Sequence, residues 1–233
     1  MEHANRQQPL FENRYDAGRQ LAEKLMAYKK EPVIVLAIPN GGIPVGLQVA
    51  LALDADLDLV ISRKIPIPLR PEGGFGAVAD DGTTILNQPV LRGINLTENQ
   101  INYQVSKVRN DIRQRSLLYR GSKPLSIAKD KIAIVVDDGL ASGYTMMAAI
   151  ESVRRRQPKH IIAAVPAASA AAVKNVEKTA DRVVTVATSF APKFYVSDFY
   201  QYWHVLSDDE GIKCYQDWKM RRYQSHIKPP TGK

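Results

Sequence analysis

Two hydrophobic rhythms alternate along this chain. Residues 16–28 carry apolar side chains at Ala17, Leu21, Leu25 and Tyr28, a spacing of four, four and three that predicts an amphipathic helix. Asp16 is placed to cap it, and Pro32 blocks its continuation. Residues 33–38 form an unbroken apolar run, as expected of a strand covered on both faces. Pro39-Asn40-Gly41-Gly42 breaks that run; a helix is expected over 44–53 and a second strand over 57–62. Thr97 followed three residues later by Gln100 is a capping box, opening a helix with Ile101, Val105, Val108 and Ile112 on one face. Then come a strand at 132–136, a helix at 143–156, a strand at 160–165, a helix at 168–178 and a strand at 182–187. This alternation predicts an α/β fold, a parallel twisted sheet with helices on both faces, within a single domain spanning residues 1–233.

Residues 63–93 break the rhythm. Four prolines lie between Pro66 and Pro89 and five glycines between Gly73 and Gly93, with no helical period. A small hairpin is expected there, residues 76–79 against 83–86, turning at Asp80-Asp81-Gly82. A segment this long and irregular inside a compact domain is usually functional or mobile. Residues 188–233 form a third region, rich in aromatics: Phe194, Phe199, Tyr200, Tyr202 and Trp203.

Composition narrows the class. Across 233 residues, 45% are hydrophobic and 24% charged, which is ordinary for a globular chain and too apolar for a disordered one. The single cysteine, Cys214, excludes an internal disulfide and fits the reducing cytoplasm. No apolar run approaches the roughly 20 residues needed to span a bilayer, and the first residues hold no hydrophobic signal region, so no membrane association is expected. The net charge of +8 is compatible with nucleic acid, an anionic surface, a phosphate-rich small ligand or simply solvated helix faces. Its densest groups are residues 109–120, 154–156 and 219–222. His3, His160, His204 and His226 are scattered, so no zinc cluster is expected. Cys214 has too little basic surrounding for a nucleophile. No G-x-G-x-x-G follows the first strand, which argues against a dinucleotide site.

In parallel sheets, ligands sit beyond the carboxyl ends of the strands. After the strand at 132–136 comes Asp137-Asp138-Gly139-Leu140-Ala141-Ser142-Gly143-Tyr144-Thr145, leading into a helix. The glycines let backbone N–H groups turn inward as an anion nest, the helix N-terminus adds its positive dipole end, and Ser142 and Thr145 offer hydroxyls. The two carboxylates would repel a phosphate against them, but suit vicinal hydroxyls one sugar-length away. Together the segment describes a ribose 5-phosphate site.

Those residues, with the hydrophobic Ile134-Val135-Val136 before them, resemble the phosphoribosyl-pyrophosphate (PRPP) motif of the type I phosphoribosyltransferases. The resemblance covers roughly residues 11–217. Residues 37–42 and 63–78 are similar to a bacterial and archaeal branch of predicted phosphoribosyltransferases. It implies a core with a flexible loop and hairpin at 63–93 that closes over the reacting centre, and a small C-terminal hood at 188–233. Asn40, Gly41 and Gly42 would form the pyrophosphate loop, although this branch usually has a basic residue at Asn40. Arg63 and Lys64 fall where the family sets basic residues against pyrophosphate, or are a solvated pair. Asp137 and Asp138 would bind ribose and favour its developing positive charge, and Glu72 is the candidate loop carboxylate. Phe194 would stack on the acceptor and the Tyr195 backbone read its edge, unless these aromatics pack a subdomain. Ala141 resembles the adenine enzymes and the hood the oxopurine enzymes, so the base stays unnamed. The implied reaction transfers the 5-phosphoribosyl group from PRPP to a nitrogenous acceptor, releasing pyrophosphate, with Mg2+ bound through PRPP, in a homodimer. The alternative is a non-catalytic sensor of PRPP or nucleotide that binds nucleic acid, a reading motivated by the basic charge.

Overall fold

The computed structural model describes residues 9–121, 123 and 126–227. The chain start with His3, the side chain of His226 and the last six residues of the expected hood lie outside the described residues. The elements in chain order are α1 (Arg14–Leu25), β1 (Val33–Ala37), α2 (Gly42–Leu53), β2 (Asp56–Leu59), β3 (Ser62–Ile67), β4 (Arg70–Ala79), β5 (Thr84–Leu86), α3 (Gln88–Gly93), α4 (Glu98–Arg120), β6 (Ile132–Val136), α5 (Tyr144–Arg154), β7 (His160–Ser169), α6 (Ala170–Val176), β8 (Arg182–Ser189) and α7 (Asp208–Ile227). Five strands make a parallel sheet in the order β2-β1-β6-β7-β8, and β3, β4 and β5 make a separate antiparallel sheet.

The unbroken apolar runs are explained by burial on both faces. Along β1, Val33, Val35 and Ala37 join the core under α1, α2 and α7, while Ile34 and Leu36 join the core under α5 and α6. Alternate side chains of a strand point to opposite faces, so both sets must be apolar. Each of these fully buried branched side chains contributes about 1.5–3 kcal/mol.

Strand order reverses between β1 and β6: β2 lies on one side of β1, and the later strands lie on the other. The chains leaving β1 and β6 therefore diverge and open a crevice at their carboxyl ends. That topology sets Asn40-Gly41-Gly42 beside Asp137-Asp138.

Four local expectations need correction. The cap of α1 is Asn13, not Asp16: its side chain accepts from the N–H groups of Tyr15 and Asp16, at 2.9 and 3.0 Å. The expected strand at 57–62 divides, because the chain leaves the parallel sheet after Leu59 and starts β3 at Ser62. The segment 63–93 is ordered rather than irregular. Its expected turn is present, with Gly82 at φ +88°, but β3 also pairs with β4 and Pro66 is absorbed at a register shift. Its helix α3 is too short to show a period. The helix expected from residue 168 starts at Ala170, because β7 runs on to Ser169. Leu140 holds it extended, donating its N–H to Ala167 O and accepting from Ser169 N, both at 2.9 Å. The capping box of α4 forms as expected.

The basic groups are also not all solvated. Arg120 and Arg156 belong to a buried cluster with Asp58 and Asp80: Arg120 Nη1 lies 2.9 Å from Asp80, Arg156 3.6 Å from Asp80, and Arg120 Nε 3.8 Å from Asp58. Arg120 also donates to Leu59 O. The cluster ties the antiparallel sheet to the parallel one. No helix among the described residues is long and apolar enough to cross a membrane.

Candidate active site

Asp137 and Asp138 follow β6 directly. Asp138 N donates to the Asp137 carboxylate at 2.8 Å, which turns the chain sharply as it leaves the sheet. Burial, then the neighbouring Asp138 charge, pushes the Asp137 carboxyl well above its usual range. Burial also raises Asp138, against the opposing pull of Arg14.

The loop beyond is anchored through Leu140 on β7 and through the Ser169 hydroxyl, which donates to Ala141 O at 2.8 Å. No backbone N–H from Ala141 to Gly143 has a partner among the described residues. The first turn of α5 adds further unbonded N–H groups. Gly143 stands at φ +84°, where an L side chain is strained, and a Cβ there would lie 2.9 Å from Val176. The result is a fixed ring of free donors at a helix N-terminus, which suits a phosphate dianion.

Arg14 is the residue that sequence reasoning missed. Its Nε lies 2.8 Å from Asp138 Oδ2, its Nη1 donates to His204 O at 2.9 Å, and its guanidinium sits 3.9 Å from the Trp203 ring centroid. Tyr200 Oη completes the support by donating to Asp138 O at 2.7 Å. A signal was available: the buried stripe of α1 extended back one turn lands on Arg14.

Asn40 lies in the opposite loop, after a cis peptide to Pro39. Its side-chain amide donates to Leu206 O at 2.8 Å and Asp208 at 3.0 Å. Its oxygen accepts from Tyr119 Oη at 2.9 Å and Arg115 at 3.2 Å. The neutral residue thus joins α4 to α7 and is fully engaged. Positive charge at this loop comes instead from Arg115, paired to Asp208 at 3.0 Å, and from Arg63 nearby. Burial, then the Arg115 charge, holds Arg63 below its usual pKa, while Asp111 and Asp208 oppose this. Gly41 permits close approach of the two loops: a Cβ there would fall 1.9 Å from the Asp138 carboxylate.

The other candidates divide. Arg63 and Lys64 are neighbours on β3, and only Arg63 lies within electrostatic reach of the Arg115 and Asp208 charges beside Asn40. Lys64 donates to Pro71 O and Glu72 O, at 3.0 and 2.6 Å, and so braces the β3–β4 hairpin. Glu72 is exposed on that hairpin, its charge beside Lys64. Phe194 packs on Phe199, ring centroids 5.3 Å apart, within an aromatic cluster that includes Phe11 and Tyr200. Tyr195 is 60% exposed. The hood rests on the loop through Val196, whose side chain lies where a Cβ on Gly139 would be. Cys214 is half-buried, and burial raises its thiol pKa.

The pattern of the phosphoribosyl transferase domain matches residues 78–197, which include the acid pair and the whole donor loop. This chain belongs to that family. Two Mycobacterium tuberculosis relatives, named "Putative phosphoribosyl transferase MT0597" and "Putative phosphoribosyl transferase Rv0571c", are each 37% identical over 203 residues, covering 87% of this chain and 46% of theirs. The chain therefore spans about half the length of these curated relatives. The crystal structure of TT1426 from Thermus thermophilus is 31% identical and superposes with a TM-score of 0.72, covering 89% of this chain and 98% of that one. As a phosphoribosyl transferase domain, the chain has a five-stranded parallel core and a three-stranded accessory sheet.

Proposed function

We propose that this phosphoribosyl transferase domain moves the 5-phosphoribosyl group of PRPP to a nitrogenous acceptor, probed first among nucleobases, and releases pyrophosphate. One observation carries the reading: two adjacent carboxylates, one of them paired to Arg14, lie beside a loop of free backbone donors. The carboxylates accept from the ribose hydroxyls, and the free donors of the 139–145 loop, from Ala141 onward, hold the 5-phosphate. As the bond from the anomeric carbon to pyrophosphate lengthens, positive charge grows on the sugar ring, and the excess negative charge of the acid pair favours it. Arg115, Arg63 and the Gly41-Gly42 backbone face the leaving pyrophosphate. Phe194 and the Tyr195 backbone would border the acceptor, and the β3–β4 hairpin with Glu72 would close over the centre and exclude water.

The described residues contain no group of three or more His, Cys, Asp or Glu side chains able to hold a metal. The donor set fits Mg2+ held chiefly by substrate oxygens, not by an all-protein cage. Bound in that way, Mg2+ neutralises charge on the leaving group. A homodimer belongs with this proposal and is checked by light scattering.

Calorimetric titration with PRPP, with and without Mg2+, tests the reading. Magnesium-dependent binding is expected, reduced about a hundredfold or more, ~2.7 kcal/mol, in Asp137→Asn/Asp138→Asn. Equal binding by the double variant would overturn it.

A further inference from the structure

The far end of the parallel sheet holds chemistry that the acid pair does not use. A cavity of about 630 Å³ lies beside the edge strand β2, near the amino-terminal ends of β1 and β6. That volume suits a nucleotide-scale ligand. Apolar surface comes from Leu57, Ile127 and Trp218, and cationic surface from Lys123, Lys131 and Lys219. Among the described residues no ion pair holds any of these three lysines, although the charge of Asp58 reaches Lys219. Two acids line the cavity. Asp56 is exposed at its rim. Asp58 is already engaged, accepting from Tyr215 Oη at 2.8 Å, Leu59 N at 2.8 Å and Ser126 N at 3.1 Å.

The cations crowd one another. Lys219 sits 3.9 Å from the Tyr215 ring centroid. Burial lowers the pKa of its ammonium, Asp58 opposes this, and the charges of Lys123 and Arg120 add to the lowering. Arg120, with 6% of its side chain exposed, keeps its buried Nε 3.8 Å from Asp58, paired in charge but without a hydrogen bond among the described residues. Lysines gathered over an apolar floor, in excess of the acids that line it, suit an anion with a flat or apolar body. We propose that this cavity is a second ligand site, for a small organic phosphate of the nucleoside diphosphate kind.

Two helices join the cavity to the loop at Asn40. On α4, Tyr119 bonds Asn40 while the next residue, Arg120, faces Asp58. On α7, Asp208 bonds Asn40 while Tyr215 bonds Asp58. A ligand that draws Arg120 or Lys219 toward itself therefore acts on the supports of the pyrophosphate loop, so the site is regulatory in character.

The chain has two tryptophans, Trp203 at the acid pair and Trp218 at the cavity. Trp203→Phe leaves Trp218 as the sole reporter. Titrating that protein with ADP should change its emission saturably. Adding Lys123→Glu and Lys219→Glu should weaken this binding about tenfold or more, and Lys131→Gln is a milder variant should the double reversal not fold. Adding Asp137→Asn should leave it unchanged, which separates this site from the proposed PRPP site whether or not PRPP binds. ADP should also shift the PRPP affinity of the wild-type chain and not of the lysine variants. An absent emission change, unchanged affinity in the lysine variants, or loss in Asp137→Asn would overturn the proposal. Displacement of ADP by a single-stranded RNA oligonucleotide at lower concentration would overturn it in favour of a nucleic-acid surface.

Discussion

The molecule buries two pairs of aspartates with arginines, and the pairs are built to opposite ends. Asp58 and Asp80 meet Arg120 and Arg156, two acids with two bases, beneath the junction of the two sheets. Asp138 pairs with Arg14, and Asp137 lies beside them within reach of the same charge, at the carboxyl ends of β1 and β6. Burial acts upward on Asp58 as on the others, but hydrogen bonding from Ser126 and the Arg120 charge bring its carboxyl below the usual value. Burial wins at Asp137, and the adjacent Asp138 adds to it. The first cluster balances two acids against two bases, although Arg120 Nε and both terminal nitrogens of Arg156 make no hydrogen bond among the described residues. The second is left with excess negative charge facing the crevice, the condition expected where a sugar developing positive charge is to be held.

Breaking the balanced cluster should cost most. Asp80→Ala leaves Arg120 and Arg156 with an uncompensated buried charge, and urea unfolding should show a loss of about 3–5 kcal/mol. Arg14→Gln strands both carboxylates of the other cluster and should cost about 2–3 kcal/mol at pH 8. That loss should shrink as the pH falls and the acids take up protons. A loss independent of pH would mean that Arg14 serves packing on Trp203 instead.

Asp137→Asn should do the reverse, raising stability at pH 7 while removing PRPP binding. A carboxyl whose folded pKa is raised binds its proton more tightly when folded. Its presence therefore costs stability increasingly as the pH rises from about 4, the unfolded value, through its higher folded value. Asp58 is the mirror case: its contribution is present above the unfolded value and fades as the pH falls through its lowered folded value. Stability–pH curves of Asp137→Asn and Asp58→Asn should thus differ from wild type with opposite slopes. The smallest effect, about 1 kcal/mol, is expected for Thr97→Ala at the α4 cap, far from both clusters, and should be the same at every pH.

The contrast also explains what the sequence made legible. The acid pair and donor loop were readable because their chemistry lies within nine consecutive residues, 137–145, on one strand–loop–helix unit. Arg14, Tyr119, Arg115 and Asp208 were not, because they reach the crevice from three separate helices, α1, α4 and α7, and only the fold brings them to Asn40 or Asp138. The strands β1 and β6 announced themselves through hydrophobicity on both faces. The antiparallel sheet did not: its strands carry prolines and glycines that local propensity counts against, and β3 is held by cross-strand pairing and by the Ser62 hydroxyl donating to Thr145 O at 2.9 Å. Ala167 to Ala172 favour a helix locally, and two hydrogen bonds to Leu140 override that preference up to Ser169.

Arg14 and the His204 carbonyl it bonds are 190 residues apart, yet both serve the carboxylate that follows β6. Asp208, later still, fixes Asn40. During synthesis, the chain emerging from the ribosome can form β1, β6 and the donor loop long before the segment carrying His204 and Asp208 exists. A nascent or truncated chain would have the recognisable motif and lack the contacts that hold both sides of the crevice. The centre is therefore closed by contacts that span most of the chain, which carry a high loop-closure cost and form late in folding. Ribosome-bound chains ending before residue 204 would carry a nearly whole sheet and an unfinished site.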